Sequence, residues 1–186
     1  MDILPALSPT TLVVVYAPGA ARETISPLTA TLALRGQVTV LDGGNCFQPY
    51  RVAQLLRKKT ARVDSAAKNI FIRRAFTCYQ VLALLEGTPT LRQPYLVLDL
   101  LATFYDQHVS EREARRLLAA CLRELERLCR GAPVVVSLAP PLLPERAFLV
   151  ESVCAQAVRV FVQELPTPTE TQLPLFSENY LQKAGC

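Results

Sequence analysis

Short runs of consecutive apolar residues, many of them β-branched, recur along this chain. In chain order they are Leu12–Tyr16, Val38–Asp42, Ile70–Ile72, Tyr95–Asp99 and Val134–Leu138. Continuous apolar runs of this length are typical of strands that are buried on both faces of a parallel sheet. A further segment, Val158–Glu164, alternates apolar and polar residues, which predicts a strand at the edge of the sheet.

Segments with apolar residues at helical spacing separate these predicted strands. One helical pattern follows the first strand as far as Arg35, and Pro49 begins a second that covers Tyr50–Lys59. Alternating strands and helices predict an α/β fold, with a mainly parallel sheet flanked by helices in three layers. In such folds ligands bind at the carboxyl ends of the strands.

Two capping boxes mark the starts of later helices. Thr77 precedes the apolar helix Val81–Glu86, and Ser110 opens the helix Glu111–Arg130. The apolar face of the second helix is the most regular in the chain, and Gly131 follows it as a stop signal. We expect this helix to pack firmly against the sheet.

The composition changes at Pro166, after which Pro, Thr, Glu and Gln predominate. We interpret residues 1–165 as a single core domain and residues 166–186 as a flexible C-terminal tail. With 186 residues, of which 51% are hydrophobic, the chain is long enough to bury a core, and a collagen-like, coiled-coil or wholly disordered protein is excluded.

The sequence favours a cytoplasmic protein. No apolar run approaches the roughly 20 residues that a membrane-spanning helix needs, and we expect no secretory leader at Met1 and no membrane contact. The six cysteines include no Cys-x-x-Cys pair, which favours free thiols. With His108 as the single histidine, we expect no metal site and no histidine-based catalysis.

Positive charge is concentrated in one segment of a chain whose net charge is only +4. Against one acid, Asp64, this segment carries eight cations: Arg51, Arg57, Lys58, Lys59, Arg62, Lys68, Arg73 and Arg74. Such a segment is a candidate footprint for the phosphates of DNA. A solvated helix end and turn would explain it equally well, and the sequence does not decide between the two.

The loop after the first strand lies where a phosphate-binding loop, Gly-x-x-x-x-Gly-Lys-Ser/Thr, would lie. Ala17 and Arg22 occupy the two glycine positions, Glu23 the lysine position and Thr24 the hydroxyl position. Glutamate places a negative charge where a triphosphate needs a positive one, so conventional ATP hydrolysis is disfavoured. A residual site for ATP and Mg²⁺ would use Arg22, Thr24 and Asp99.

The segment from the end of the second predicted strand into the next helix resembles a motif of a known protein family. The stretch that begins Val40-Leu-Asp-Gly-Gly-Asn-Cys-Phe-Gln-Pro-Tyr-Arg resembles the Asp-Thr-Glu-Gly-x-Phe-x-Pro-x-Arg motif of RecA-type recombinases of the archaeal and eukaryotic branch. Its matching residues are Asp42, Phe47, Pro49 and nearby Arg51. Further on, Arg74–Phe76 resembles that family's next strand-to-helix junction, and Tyr95–Tyr105 resembles its Walker B strand and turn. The resemblance covers residues 12–164.

This resemblance implies a RecA-like ATPase core, with Asp99 at the position of the Mg²⁺-linked acid. The family's catalytic glutamate falls at Gly44, so the general base is missing as well as the phosphate-loop lysine. Two such losses predict a degenerate member that does not hydrolyse ATP. Asp99 is then either a residual Mg²⁺ ligand or a strand-end cap, and for Asp42 we favour a structural role in the Asp-Gly-Gly turn.

The tail contains a short motif with its own resemblance. Gln172, Leu173, Leu175 and Phe176 form a Gln-Leu-x-Leu-Phe pattern, similar to the peptide by which bacterial polymerases and repair factors dock on the replication sliding clamp. The alternative is that Leu173, Leu175 and Phe176 form a last edge strand or pack on the core.

Together these features predict a non-catalytic RecA-like accessory or scaffold protein in bacterial DNA repair, recombination or translesion synthesis. Its expected partners are the sliding clamp, a recombinase or translesion polymerase, and DNA. Two alternative functions also fit these sequence features. One is an atypical ATPase that uses Arg22 in place of the lysine, and the other is a structural subunit of a hetero-oligomer that does not contact DNA.

Overall fold

A computed structural model describes residues 3–8 and 10–162 of the chain. Their strands form one six-stranded sheet in the order β3-β2-β4-β5-β1-β6, in which every pair is parallel. The strands are β1 Leu12–Tyr16, β2 Val38–Asp42, β3 Ile70–Arg74, β4 Tyr95–Leu98, β5 Val134–Leu138 and β6 Arg159–Val162. The predicted α/β fold with a parallel sheet is confirmed.

Helices cover both faces of this sheet. The α-helices are α1 Ser26–Ala33, α2 Pro49–Arg57, α3 Val63–Ala67, α4 Cys78–Glu86, α5 Glu111–Cys129 and α6 Ala147–Cys154. A π-helical turn at Ala21–Ile25 runs directly into α1, and short 3₁₀ turns lie at Leu4–Ala6, Ala102–Tyr105 and Pro144–Arg146. None of the helices in the described residues is long and apolar enough to cross a bilayer.

The core consists of two layers, one on each side of the sheet. Successive strand residues point to opposite faces, so Val14 packs under α4, α5 and α6, whereas Val13 and Val15 pack under α1, α2 and α3. The central strands are buried on both faces, which is why their sequences are apolar without alternation. Helix, sheet and helix therefore form three layers, consistent with a RecA-like fold.

The structure differs from the sequence predictions mainly at the elements with weak signals. The strand predicted at Ile70–Ile72 extends to Arg74, because its last two residues continue the ladder with β2. Helices α3 and α6 were not predicted, and neither has a side-chain hydrogen bond at its amino end to mark its start. The tail, with its motif at 172–176, lies outside the described residues.

Because all six strands are parallel, the molecule has two chemically different edges. We call the edge where the strands end the carboxyl edge, and it includes the residues that follow Tyr16, Asp42 and Leu98. We call the opposite edge, where the strands begin, the amino edge. Each helix that follows a strand runs from the carboxyl edge back to the amino edge.

Candidate functional site

The turn after β1 uses its backbone amides internally. The amide of Ala20 donates to the carbonyl oxygen of Ala17 at 3.1 Å, and the amides of Arg22 and Glu23 both donate to the carbonyl oxygen of Gly19 at 2.9 Å. Helical geometry begins at Ala20, directly after Gly19 with its φ of +70°. A phosphate-binding loop instead directs such amides at its ligand, so this turn lacks the wide loop that cradles a triphosphate.

Side chains at the same turn are paired with each other. Glu23, at the lysine position of the phosphate-loop pattern, lies between two arginines: Arg22 Nε at 3.3 Å and Arg51 Nη2 at 2.8 Å. Thr24 is half-buried beside them. Arg22, the cation that would replace the lysine of the phosphate-binding loop, is therefore already paired with the carboxylate of Glu23. A phosphate that bound here would have to compete with Glu23 for Arg22.

Asp42, at the end of β2, holds the following loop in place. Its side chain is fully buried and accepts hydrogen bonds from the amides of Cys46 at 2.9 Å and Phe47 at 3.0 Å. The guanidinium of Arg74 lies 3.2 Å from the second carboxylate oxygen and also donates to the carbonyl oxygen of Phe47. Asp42 thus organises the loop at residues 43–47, in keeping with the structural role favoured from the sequence.

Asp99, directly after β4, is fixed by a reciprocal contact with β5. Its amide donates to Ser137 Oγ at 2.9 Å, and that hydroxyl donates back to Asp99 Oδ1 at 3.0 Å. The backbone of Asp99 is left-handed, with φ of +44°, an uncommon conformation for a residue with a side chain. Burial raises the pKa of this carboxyl above its ordinary value, although the hydrogen bond from Ser137 opposes the shift.

Gly44 lies directly against Asp99. A Cβ at residue 44 would be 2.6 Å from the Cβ of Asp99 and 3.3 Å from the Cβ of Ala102. Real carbon atoms do not approach so closely, so this backbone position accepts only glycine unless the loop moves. The position that holds the catalytic glutamate in the resembling family has no room for a side chain here.

The thiol of Cys46 lies between the two carboxylates. Its Sγ is 3.6 Å from Asp42 Oδ1, and it also interacts with Asp99. Burial, followed by the charges of Asp99 and Asp42, raises the pKa of Cys46 far above its ordinary value. The thiol therefore stays protonated and is a poor nucleophile and a poor metal ligand.

Within residues 3–8 and 10–162, no group of three or more histidine, cysteine, aspartate or glutamate side chains is arranged to hold a metal ion. Asp99 directly follows β4 and Thr24 follows β1, with β5 between these two strands.

A groove of about 620 Å³ opens at the carboxyl edge beside the 3₁₀ turn after β4. Its lining includes Phe76, Tyr79, Thr103, Tyr105, His108 and Leu142. Phe76 is 63% exposed and Leu142 is 95% exposed, although both are large and apolar. This surface suits an apolar protein segment better than a triphosphate, because its lining combines aromatic and apolar side chains with Asp106 and includes no arginine or lysine.

The eight cations of the basic segment do not form one surface. Arg51 pairs with Glu23, Arg74 pairs with Asp42, and Arg73 donates to Gly87 O at 2.9 Å and to Thr88 Oγ1 at 3.2 Å. The other five lie exposed at the end of α2 and around α3: Arg57, Lys58, Lys59, Arg62 and Lys68. These five lie toward the amino edge, away from the region that resembles a nucleotide site.

Comparisons with known proteins name no family for this chain. No protein-family model matches it, and no curated protein sequence matches it. The resemblance to RecA-type recombinases therefore stays an interpretation of the motifs and their order.

Two features of the site had no usable signal in the sequence. Ser137 bonds to Asp99 at a sequence separation of 38 residues, and in the sequence it is only a polar residue within an apolar strand. The contact between Gly44 and Asp99 depends on how two loops meet, which no local pattern reports. The pairing of Asp42 with Arg74 follows from the register of β2 and β3, in which these residues are directly opposite.

Proposed function

We propose that this protein is a RecA-like accessory or scaffold protein that does not hydrolyse ATP. In this proposal the core binds DNA through its exposed cations and contacts a recombinase or translesion polymerase. The tail docks on the bacterial sliding clamp, and the protein acts in DNA repair, recombination or translesion synthesis.

The observation that carries the non-catalytic part is the contact between Gly44 and Asp99. ATP hydrolysis in the resembling family needs a glutamate to activate water, and here its position is closed to any side chain by a Cβ distance of 2.6 Å. The turn after β1 adds a second obstacle, since its amides bond internally and Glu23 occupies the lysine position. These two features lie at different strand ends, so a single loop movement would not repair both.

Calorimetry with ATP and Mg²⁺ at millimolar concentration, together with a phosphate-release assay, tests this part. The proposal expects no phosphate release above the background of a buffer blank. Turnover that is lost in an Asp99→Asn variant would instead establish the alternative, an atypical ATPase.

DNA binding is supported by the five exposed cations near α2 and α3. Cations of this kind neutralise backbone phosphates without reading sequence, and the resulting affinity falls steeply with salt. Reversing the charge of Arg57, Lys58, Lys59 and Arg62 to glutamate should abolish binding of a labelled oligonucleotide in fluorescence anisotropy. If the reversed variant binds as well as the unmodified protein, these residues are not the DNA contact.

Clamp docking is supported by the pattern at 172–176 and by its distance along the chain from the core. The nine residues 163–171 separate it from β6, and when extended they span about 30 Å. That length is sufficient to present the motif to a partner beyond the body of the protein. Two leucines and a phenylalanine would fill an apolar pocket, with Gln172 bonding at its rim.

Binding to the purified clamp, measured by surface plasmon resonance, tests this part. The double variant Gln172→Ala/Phe176→Ala should lose a micromolar affinity. A matched control, Tyr180→Ala/Gln182→Ala, removes one aromatic residue and one glutamine from the same tail outside the motif, and it should bind normally. Equal affinity in both variants would remove the clamp from the proposal.

A second candidate, a structural subunit without DNA contact, is favoured by the exposed face of β6. Val158, Val160 and Val162 are 64%, 40% and 63% exposed at this end of the sheet. Within the part of the chain that the structure describes, no strand pairs with the outer side of β6. Native mass spectrometry of the complex isolated from its host distinguishes the two candidates, since a structural subunit would be recovered in a fixed hetero-oligomer free of DNA.

A further inference from the structure

The amino edge carries more positive charge than the basic segment alone supplies. Three arginines outside that segment, Arg35, Arg92 and Arg130, are exposed where α1, the loop before β4 and α5 meet this edge. They come from distant parts of the sequence, so the charge distribution along the chain does not reveal them as neighbours. The fold brings them to the same edge as the cations of α2 and α3.

A series of contacts connects these groups in space. Lys59 Nζ donates to Thr31 Oγ1 on α1 at 3.1 Å, and Asn69 Nδ2 donates to the carbonyl oxygen of Ala33 at 2.9 Å. The ends of α2 and α3 therefore lie against the end of α1. Lys68 precedes Asn69, and Arg35 lies two residues after Ala33.

A groove at the amino edge extends this series of contacts from the end of α1 to the loop before β4. It measures about 590 Å³ and is lined on one side by Leu32, Arg35, Gly36 and Gln37, and on the other by Leu91, Arg92, Gln93 and Pro94. Arg35 and Arg92 thus share one groove. Beyond it, a Cβ at Gly131 would lie 2.7 Å from the carbonyl oxygen of Leu91, which places Arg130 beside the same loop.

The helix dipole explains only part of this arrangement. Cations are favourable at helix carboxyl ends, and several of these helices end at the amino edge. Arg62, however, lies at the amino end of α3, where a cation is unfavourable, and Arg92 lies in a loop. Along this part of the amino edge the exposed acids are Asp64, Glu86 and Glu126, and Glu124 is paired with Arg127. The exposed cations are Arg35, Arg57, Lys58, Lys59, Arg62, Lys68, Arg92 and Arg130.

We infer that the amino edge is a continuous binding surface for the phosphate backbone of nucleic acid, which runs from Lys59 and Lys68 through the groove between Arg35 and Arg92 to Arg130. The inference rests on the proposed DNA binding and extends it to residues that the sequence did not single out. The surface lies on the opposite edge from the region that resembles a nucleotide site. Nucleic acid and a partner at the carboxyl edge can therefore occupy the protein at the same time.

Fluorescence anisotropy of a labelled mixed-sequence oligonucleotide, measured over a series of salt concentrations, tests the inference. The double variant Arg35→Gln/Arg92→Gln should weaken binding about tenfold and reduce the slope of log affinity against log salt by about two, because two phosphate contacts are lost. Circular dichroism confirms that the variant is folded, which we expect because both side chains are exposed.

The matched control is Arg112→Gln/Arg116→Gln. It removes the same charge from the first turns of α5, at the carboxyl edge, and should leave both affinity and salt slope unchanged. If the control weakens binding as much as Arg35→Gln/Arg92→Gln, only net charge matters and the inference is wrong. If Arg35→Gln/Arg92→Gln binds like the unmodified protein, the inference is overturned while the proposed DNA binding stands. If the unmodified protein does not bind the oligonucleotide, the proposed DNA binding fails as well.

Discussion

The carboxylate of Asp42 is fully buried and accepts hydrogen bonds from the backbone amides of Cys46 and Phe47. It also pairs with the guanidinium of Arg74, and all three nitrogen–oxygen distances are 3.2 Å or less. Buried carboxylates are retained only where such partners replace water. The same loop places Gly44 on Asp99, and Ser137 fixes Asp99 from the neighbouring strand. The residues that resemble a nucleotide site thus serve here to join the loop after β2 to the ends of β4 and β5.

Substitution Gly44→Ala tests this closure. The new Cβ would meet the Cβ of Asp99 at 2.6 Å, so the loop must shift. We expect the free energy of unfolding, measured by urea denaturation, to fall by about 1–3 kcal/mol. The double variant Gly44→Ala/Asp99→Gly removes the opposing Cβ and should show less than the sum of the two single losses. Strict additivity, or an unchanged stability for Gly44→Ala, would mean that the two residues do not touch.

The pKa of Asp99 predicts a pH dependence of stability. Because the folded protein raises this pKa above its ordinary value of 3.8, the folded state holds the proton more tightly than the unfolded state. The contribution of Asp99 to stability is therefore present below pH 3.8 and is lost as the pH rises through the folded pKa.

Asp99→Asn cannot ionise and should not show this loss. The free energy of unfolding of Asp99→Asn, minus that of the unmodified protein, should therefore increase from acid to neutral pH when both are measured by urea denaturation. Asp64→Asn, on the exposed side of α3, controls for the general loss of a carboxylate. A difference between Asp99→Asn and the unmodified protein that stays constant across this range would show that Asp99 ionises equally easily in both states.

At the scale of elements, strong local signals located the strands and both capped helices, although α4 begins at Cys78, three residues before the predicted Val81. β1, β2 and β5 have the predicted bounds, because each is a continuous apolar run that the sheet buries on both faces. α5 begins at the predicted residue, Glu111. α3 and α6 have no such local signal. Their formation depends instead on tertiary contacts, of α3 with α2 and of α6 with α5.

The site was less predictable than the fold. Sequence patterns identified Asp42, Asp99 and Gly44 as strand-end residues, but their contacts depend on which strands are neighbours. The cations of the basic segment are divided between the two edges of the sheet for a simpler reason. A helix that follows a parallel strand carries its last residues to the opposite edge, so Arg57 and Lys59 lie far from Arg51 although they are close in sequence.

Substitution Ser110→Ala tests the capping box of α5. Ser110 Oγ accepts a hydrogen bond from the amide of Glu113 at 3.2 Å. Its loss should lower the free energy of unfolding by about 1 kcal/mol in urea denaturation. Ser65→Ala, an exposed serine within α3, is the matched control and should change stability by less than about 0.5 kcal/mol. Equal effects from both substitutions would remove the cap as a source of stability.

At the scale of the whole molecule, the two edges of the sheet carry different chemistry. The carboxyl edge has paired charges and an aromatic groove, whereas the amino edge has exposed cations and a groove between Arg35 and Arg92. The segment 163–186 continues from β6 and carries the clamp-like motif. This separation of surfaces is what a scaffold needs if it is to hold a partner, the clamp and DNA at once.

The most direct test of this account is whether the protein joins DNA and the sliding clamp in one complex. Analytical ultracentrifugation would follow a labelled oligonucleotide mixed with purified clamp and the full protein. The account predicts a ternary complex that reverts to a protein–DNA complex when Gln172→Ala/Phe176→Ala replaces the unmodified protein. Separate binary complexes that never combine, or a ternary complex that the double variant preserves, would contradict it.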